Sequence, residues 1–325
     1  MQKTIFCLLL FAFISDVLGQ DPNERLSNDA AAIYHNFKFN GQNIMELFTP
    51  EEEENWKDVS AELLPSLNNV LSALEDEMSE ISQAAKLESC QWRFPFKEDG
   101  ILTDIEVLVS LNFMSQCFLA NARKSMEERN PEDAVSNILT AFRLARHVGN
   151  AATLSGKTIQ WKMEESGLFF LFLHREDFTP EQKKYLYAEL LQLHTTSKSI
   201  LATLALEEEW FYPWVRGNFI FPYANPQYPM FENFAETIRK HSDFSANNRE
   251  NLCVHYQNYY KTLSLCISCS ENDLQKEIKQ LKTVMIDGFM YPYTSSDVVH
   301  IRKCERENQA YWKMVLLVFQ EESSI

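Results

Sequence analysis

Glycine is scarce in this sequence. Eight glycines stand in 325 residues, where average usage of roughly 7% would supply about 23. Gly-rich phosphate loops and tight β-hairpin turns therefore have little raw material. Positive charge is also short: 30 Lys and Arg face 46 Asp and Glu, for a net charge of −16. With no basic stripe along the chain, nucleic acid and anionic membrane surfaces are disfavoured as partners. Several catalytic signatures are missing as well. The seven histidines stand mostly alone, without HExxH or HxH spacing. No GxSxG elbow, P-loop or Cys/His nucleophile pattern occurs. The residue pattern implies neither a metal nor a cofactor.

Long apolar runs are missing too. Ile5 to Ile14 form a run of ten, against about 20 apolar residues needed to span a bilayer. Lys3 precedes this run, and Val17 and Gly19 follow at small-residue positions. Residues 1–19 therefore read as a secretory signal cut after Gly19, which places the chain in the periplasm or outside the cell. No stable membrane insertion is expected once the signal is removed.

Export changes the meaning of the cysteines. Beyond residue 19 there are six, Cys90, Cys117, Cys253, Cys266, Cys269 and Cys304. An even number in an exported protein points to disulfides without fixing the pairing. Cys253, Cys266, Cys269 and Cys304 lie after residue 250 and are the candidates. "CISC" (266–269) also has redox or zinc spacing, but the βαβ core or regular further ligands that either would need are not visible.

What is abundant is helix. Hydrophobic residues make up 45% of the chain, enough for a substantial core. Helix starts are legible: "TPEEEEN" at 49, "NPEDA" at 130 and "TPEQKK" at 179 each join a capping residue, a proline and first-turn acids. The capping side chain takes an orphan N–H, the proline has none to orphan, and the acids oppose the dipole. Apolar periodicity predicts helices over 51–87 (bent near Pro65), 101–128, 131–148, 154–174, 180–211, 232–241, 249–268, 271–286 and 297–320. The fold class is all-α: antiparallel helical hairpins stacked as an α/α array or superhelix, with roughly eight or nine helices. Four prolines in "YPWVRGNFIFPYANPQYPMF" interrupt the pattern. They argue against helix interior. Residues 20–211 then form an N-terminal array, 212–231 a Pro/aromatic connector and 232–325 a smaller C-terminal helical part.

"ESCQWRFPFKEDG" followed by "ANARKSMEERNPEDAVSNILTAFRLARHVG" resembles uncharacterised exported all-helical bacterial proteins. In those, a Cys-x-Trp-like turn leads to an alanine-rich helix pair, then "LARH" and another pair. The likeness covers about residues 85–210 and is loosely TPR-like, although no 34-residue period persists. It implies stacked α-hairpins and no particular activity.

Two charged clusters invite a catalytic reading. Arg143, Arg146, His147, Lys162, Glu164 and Glu165 gather around the corner at 149–153. Cations in the last turns of one helix complement its dipole, so ion pairs across a hairpin explain them as surface. Glu207, Glu208 and Glu209 fan around a helix, so at least one is expected to face the interior, more often toward an arginine than as an acid–base group. The aromatic connector is a better lead: Trp214, Phe219, Tyr223 and Tyr228 are the candidate ligand-binding residues, for a protein, peptide or saccharide. The reading is an exported helical binding or scaffold protein of unknown ligand, with no enzymatic activity indicated. Its alternative is an exported hydrolase using a carboxylate/His cleft.

Overall fold

The computed structural model describes residues 29–36, 64–99, 103–217, 249–285 and 291–322. The expected signal segment 1–19, the start of the 51–87 helix, the 232–241 helix, and Phe219, Tyr223 and Tyr228 lie outside these residues. Among the described residues the structure is all-α, without a β-strand. None of its helices is long and apolar enough to cross a membrane.

The helices are α1 (Ala30–Asn36), α2 (Leu64–Ala73), α3 (Glu75–Ala85), α4 (Phe96–Asp99), α5 (Glu106–Glu127) and α6 (Pro131–Val148). Then follow α7 (Leu154–Leu173), α8 (Pro180–Thr195), α9 (Ile200–Gly217), α10 (Arg249–Ser268), α11 (Glu271–Val284) and α12 (Ser295–Glu322). Their number exceeds the expected one because two long predicted helices are each two, and because α1 and α4 lie outside every predicted span. The first breaks at Leu74. The second breaks at 196–199, where Thr195 and Thr196 hydroxyls donate to carbonyls of their own last turn. Ser199 Oγ then accepts the Ala202 N–H at the start of α9, a local bond that competes with helix continuation.

One helix runs further than its prolines suggest. Pro213 sits inside α9, although an interior proline costs about 3 kcal/mol. It is tolerated because Pro213 and Glu209, whose carbonyl loses its helical donor, both face solvent. The opposite face buries Phe211, Trp214 and Val215.

The α5–α6 corner is closed by hydrogen bonds from Asn130 N–H to Ser125 O (2.7 Å) and Arg129 N–H to Met126 O (3.0 Å). This is a Schellman cap, whose left-handed position normally takes glycine. In a chain so poor in glycine it is Arg129, at φ 60°. Buried Ala120, Ala122, Ala141 and Ala145 then let α5 and α6 pack along their lengths. At Gly167 a Cβ would stand 2.7 Å from Phe142 Cζ, so α6 and α7 approach there on the strength of a missing side chain.

Two hydrophobic cores result. One joins α1–α3, α5–α8 and the end of α12, where Trp312, Val315 and Phe319 enter it. The other joins Phe96, Leu154, Trp161, α9, α10 and the start of α12. Helices α7 and α12 pack against each other and belong to both. The C-terminal helix thus closes onto the N-terminal array.

Candidate functional site

Three constructions could carry function: a polar network where the two cores meet, a buried carboxyl in the second core, and an aromatic row joining both.

The network begins at the α6–α7 corner. Thr153 caps α7 by accepting the Gly156 N–H at 3.0 Å, which fixes the helix so that positions 157, 160 and 164 share its inner face. Lys157, Gln160 and Glu164 are all buried there. Lys157 Nζ donates to Gln160 Oε1 (2.8 Å) and to Ser197 Oγ (2.8 Å). Gln160 Nε2 donates to Ser197 Oγ (3.0 Å) and Glu164 Oε1 (2.5 Å). Glu164 Oε2 accepts from Asn308 Nδ2 and Trp312 Nε1 of α12, each at 3.0 Å. Burial lowers the Lys157 ammonium to about 8. Beside it the Arg146 guanidinium and the His194 imidazole are also pushed down by desolvation. Gly149 supplies the room, since a Cβ there would lie 1.8 Å from Gln160 Oε1.

The charged corner is therefore only partly surface. Arg143 pairs with Glu189 of α8 at 2.7 Å, not with α7, and Lys162 and Glu165 are exposed. Glu164 and His147 turn inward instead. His147 Nε2 donates to the Leu87 carbonyl at 3.0 Å. A carbonyl only accepts, so Nδ1 carries the lone pair that takes the Tyr34 hydroxyl at 2.9 Å. Burial lowers its pKa to about 4. This neutral imidazole ties α1 and the end of α3 to the end of α6.

Of the three consecutive acids, Glu207 faces the interior, and it meets no arginine. It accepts the Leu154 N–H at 2.7 Å, at the positive end of α7, and the Tyr293 hydroxyl at 3.1 Å. Burial nevertheless raises its carboxyl to about 7. Tyr259, which donates to the Tyr293 carbonyl (2.7 Å), completes this knot of polar tips. Glu208 is half-buried and Glu209 exposed.

The aromatic row begins in "CQWRFPF" (90–96). Trp92 and Phe94 lie in the irregular segment before α4, and Phe96 is the first residue of that helix. Trp92 stacks on Tyr34 (5.8 Å) and on Phe94 (5.2 Å). Phe94 meets Phe96 (5.2 Å), which stacks on Trp210 (4.6 Å). Trp210 meets Phe211, and Phe211 meets Trp214 and Tyr256. The Trp210 indole N–H donates to the Ala152 carbonyl at 2.9 Å. Above Phe94, Phe96 and Trp210 opens a groove of about 560 Å³, rimmed by Arg93, Lys97, Leu206 and Glu209. Trp214 lies in the core with 1% of its surface exposed, so the candidate ligand residue of the connector is packing, and Trp210 one turn earlier reaches the groove.

The disulfide expectation is corrected: Cys253, Cys266, Cys269 and Cys304 are free thiols, as are Cys90 and Cys117. Cys266 is buried in the second core, with its thiol pushed up to about 11 by burial. Cys269 turns to Arg302 (3.3 Å). Cys304 faces His300 one turn back (3.5 Å). Among the described residues no three His, Cys, Asp or Glu side chains are placed to hold a metal ion. No protein-family model, no curated protein and no solved structure matches this chain.

Proposed function

We propose that this is an exported helical binding protein whose ligand, a peptide segment or a saccharide, lies in the groove over Phe94, Phe96 and Trp210. The observation that carries the reading is the groove lined by Phe94, Phe96 and Trp210 beside Arg93, Lys97 and Glu209. Aromatic faces give contact area at low entropic cost, and a charged rim orients the ligand. The volume is within the range of small-ligand sites, roughly 300–1,000 Å³. A hydrolase built on a carboxylate/His cleft finds less support: His147 is locked between the Tyr34 hydroxyl and the Leu87 carbonyl.

Tryptophan emission titrated with panels of proline- and aromatic-containing peptides and of oligosaccharides tests this. A saturable change is expected, weakened at least about tenfold by Leu206→Glu or Arg93→Glu. Binding that is indifferent to both substitutions, or no saturable binding by either panel, removes the groove as the site.

A further inference from the structure

We propose that Ser197 and Lys157 form a nucleophile–base pair that accepts acyl groups from esters, a second chemical site apart from the aromatic groove. Ser197 stands in the short connector between α8 and α9 with its side chain half-exposed. The connector is pinned: Ser197 N–H bonds to the His194 carbonyl (3.2 Å) and Arg146 Nη1 to the Leu193 carbonyl (3.1 Å). Lys157 reaches Ser197 Oγ from the buried side at 2.8 Å. That is the hydrogen-bond reach a hydroxyl and its general base need.

The surroundings of Lys157 distinguish it from a structural lysine. A buried ammonium ordinarily faces a carboxylate. Among the described residues Lys157 faces two neutral oxygens, those of Ser197 and Gln160, while the nearest acid of the network, Glu164, is held by Gln160, Asn308 and Trp312. The titratable and charged groups around it are Glu164 of its own helix, Arg146 of α6, His194 of α8, Lys198 of the connector and Glu305 of α12. The balance of burial and these charges leaves its ammonium near 8, so an appreciable neutral fraction exists at mildly alkaline pH. Gln160 orients the pair: its carbonyl holds Nζ and its N–H reaches Ser197 Oγ at 3.0 Å.

The step balances without a further reagent. Neutral Lys157 Nζ takes the Ser197 hydroxyl proton as Oγ bonds to the acyl carbon, and the carbonyl π pair moves to oxygen. Collapse breaks the ester C–O bond, and the leaving alkoxide takes the proton from Nζ. Water, deprotonated in turn by Lys157, releases the acid and restores Ser197.

A tagged fluorophosphonate is the probe, since Oγ–P bond formation expels fluoride and reports the same nucleophile. The full chain is incubated over pH 6–10 and the adduct located by mass spectrometry. The expected result is an adduct on Ser197, forming at a rate half-maximal near pH 8, with Lys157→Met slowing it by at least about 100-fold. No adduct on Ser197, or an unchanged rate in a folded Lys157→Met, overturns the proposal. Should circular dichroism show that variant unfolded, the pH profile of the unsubstituted chain decides: a flat profile, or a rise only above about pH 10 where an unperturbed lysine titrates, also overturns it.

Discussion

The two cores differ in what fills them. The first is packed by alanine and aliphatic side chains, with Ala84, Ala120, Ala122 and Ala145 wholly buried. The second is packed by Trp210, Phe211, Trp214, Tyr256, Tyr259 and Tyr260. Small residues hold helices together by proximity and ask nothing of their neighbours. Tyrosines bring hydroxyls into the interior, and two of them meet polar partners there: Tyr259 donates to the Tyr293 carbonyl and Tyr293 to Glu207. Burial keeps the Glu207 carboxyl mostly protonated below neutral pH. The two fillings meet along α7 and α12, and there the interior is most polar: Lys157, Gln160, Glu164 and Asn308. An aliphatic core tolerates a change by repacking, whereas a polar seam loses a whole set of partners at once.

The largest effect is therefore expected at that seam. Glu164→Ala leaves Asn308 Nδ2, Trp312 Nε1 and Gln160 Nε2 short of an acceptor. With about 1–3 kcal/mol for each buried donor left unsatisfied, urea unfolding should show a loss of about 3–5 kcal/mol. A loss below about 1 kcal/mol would mean that α12 is held by its apolar side alone.

Acidity sharpens the contrast between Glu207 and His147. The folded pKa of Glu207 lies near 7, above its unfolded value of about 4.3. The folded state thus holds the extra proton between these limits, and the contribution falls as pH rises through that window. His147 runs the other way: its folded pKa near 4 lies below about 6.5, so stability is lost as pH falls from 6.5 toward 4. The two trends oppose each other between about pH 4.5 and 6.5. Glu207→Gln should stabilise the fold relative to the unsubstituted chain by an amount that grows on going from pH 4.5 to 7, reaching about 3 kcal/mol. Thermal unfolding at fixed pH steps measures this difference, and a difference independent of pH refutes the assignment.

Gly149→Ala is a milder assault on the seam. Its Cβ would displace the Gln160 carboxamide from Lys157, at about 1–3 kcal/mol. It should also slow fluorophosphonate labelling of Ser197, whereas a purely structural Lys157 would show only the stability loss. The smallest effect has the opposite sign. Arg129→Gly relieves the left-handed residue of the α5–α6 corner and should raise stability by up to about 1 kcal/mol, read as an increase in the unfolding midpoint.

Much of the fold was legible in the sequence, because helix signals are local. The caps at Asn130 and Thr179 form as their spacing suggests, with Thr179 and Gln182 closing a capping box. The breaks at Leu74 and 196–199 were not legible, since apolar periodicity runs straight through both. Nor was Pro213, because its acceptance in α9 depends on which face of that helix meets the second core.

Of the candidate sites, little could be read in advance. The sequence by itself determined an all-helical chain with a scarcity of glycine, an acid excess and no familiar catalytic motif. Only the tertiary structure decided that Glu164 and His147 leave the charged surface for the interior, and that Glu207 alone of its trio does so. It also decided that Ser197 meets Lys157, and that Trp210 rather than Trp214 reaches a groove. Helix formation depends on neighbours a turn away, whereas Glu164 depends on Asn308 and Trp312, 144 and 148 residues distant. No local pattern encodes those meetings; they exist once α12 has packed on α7.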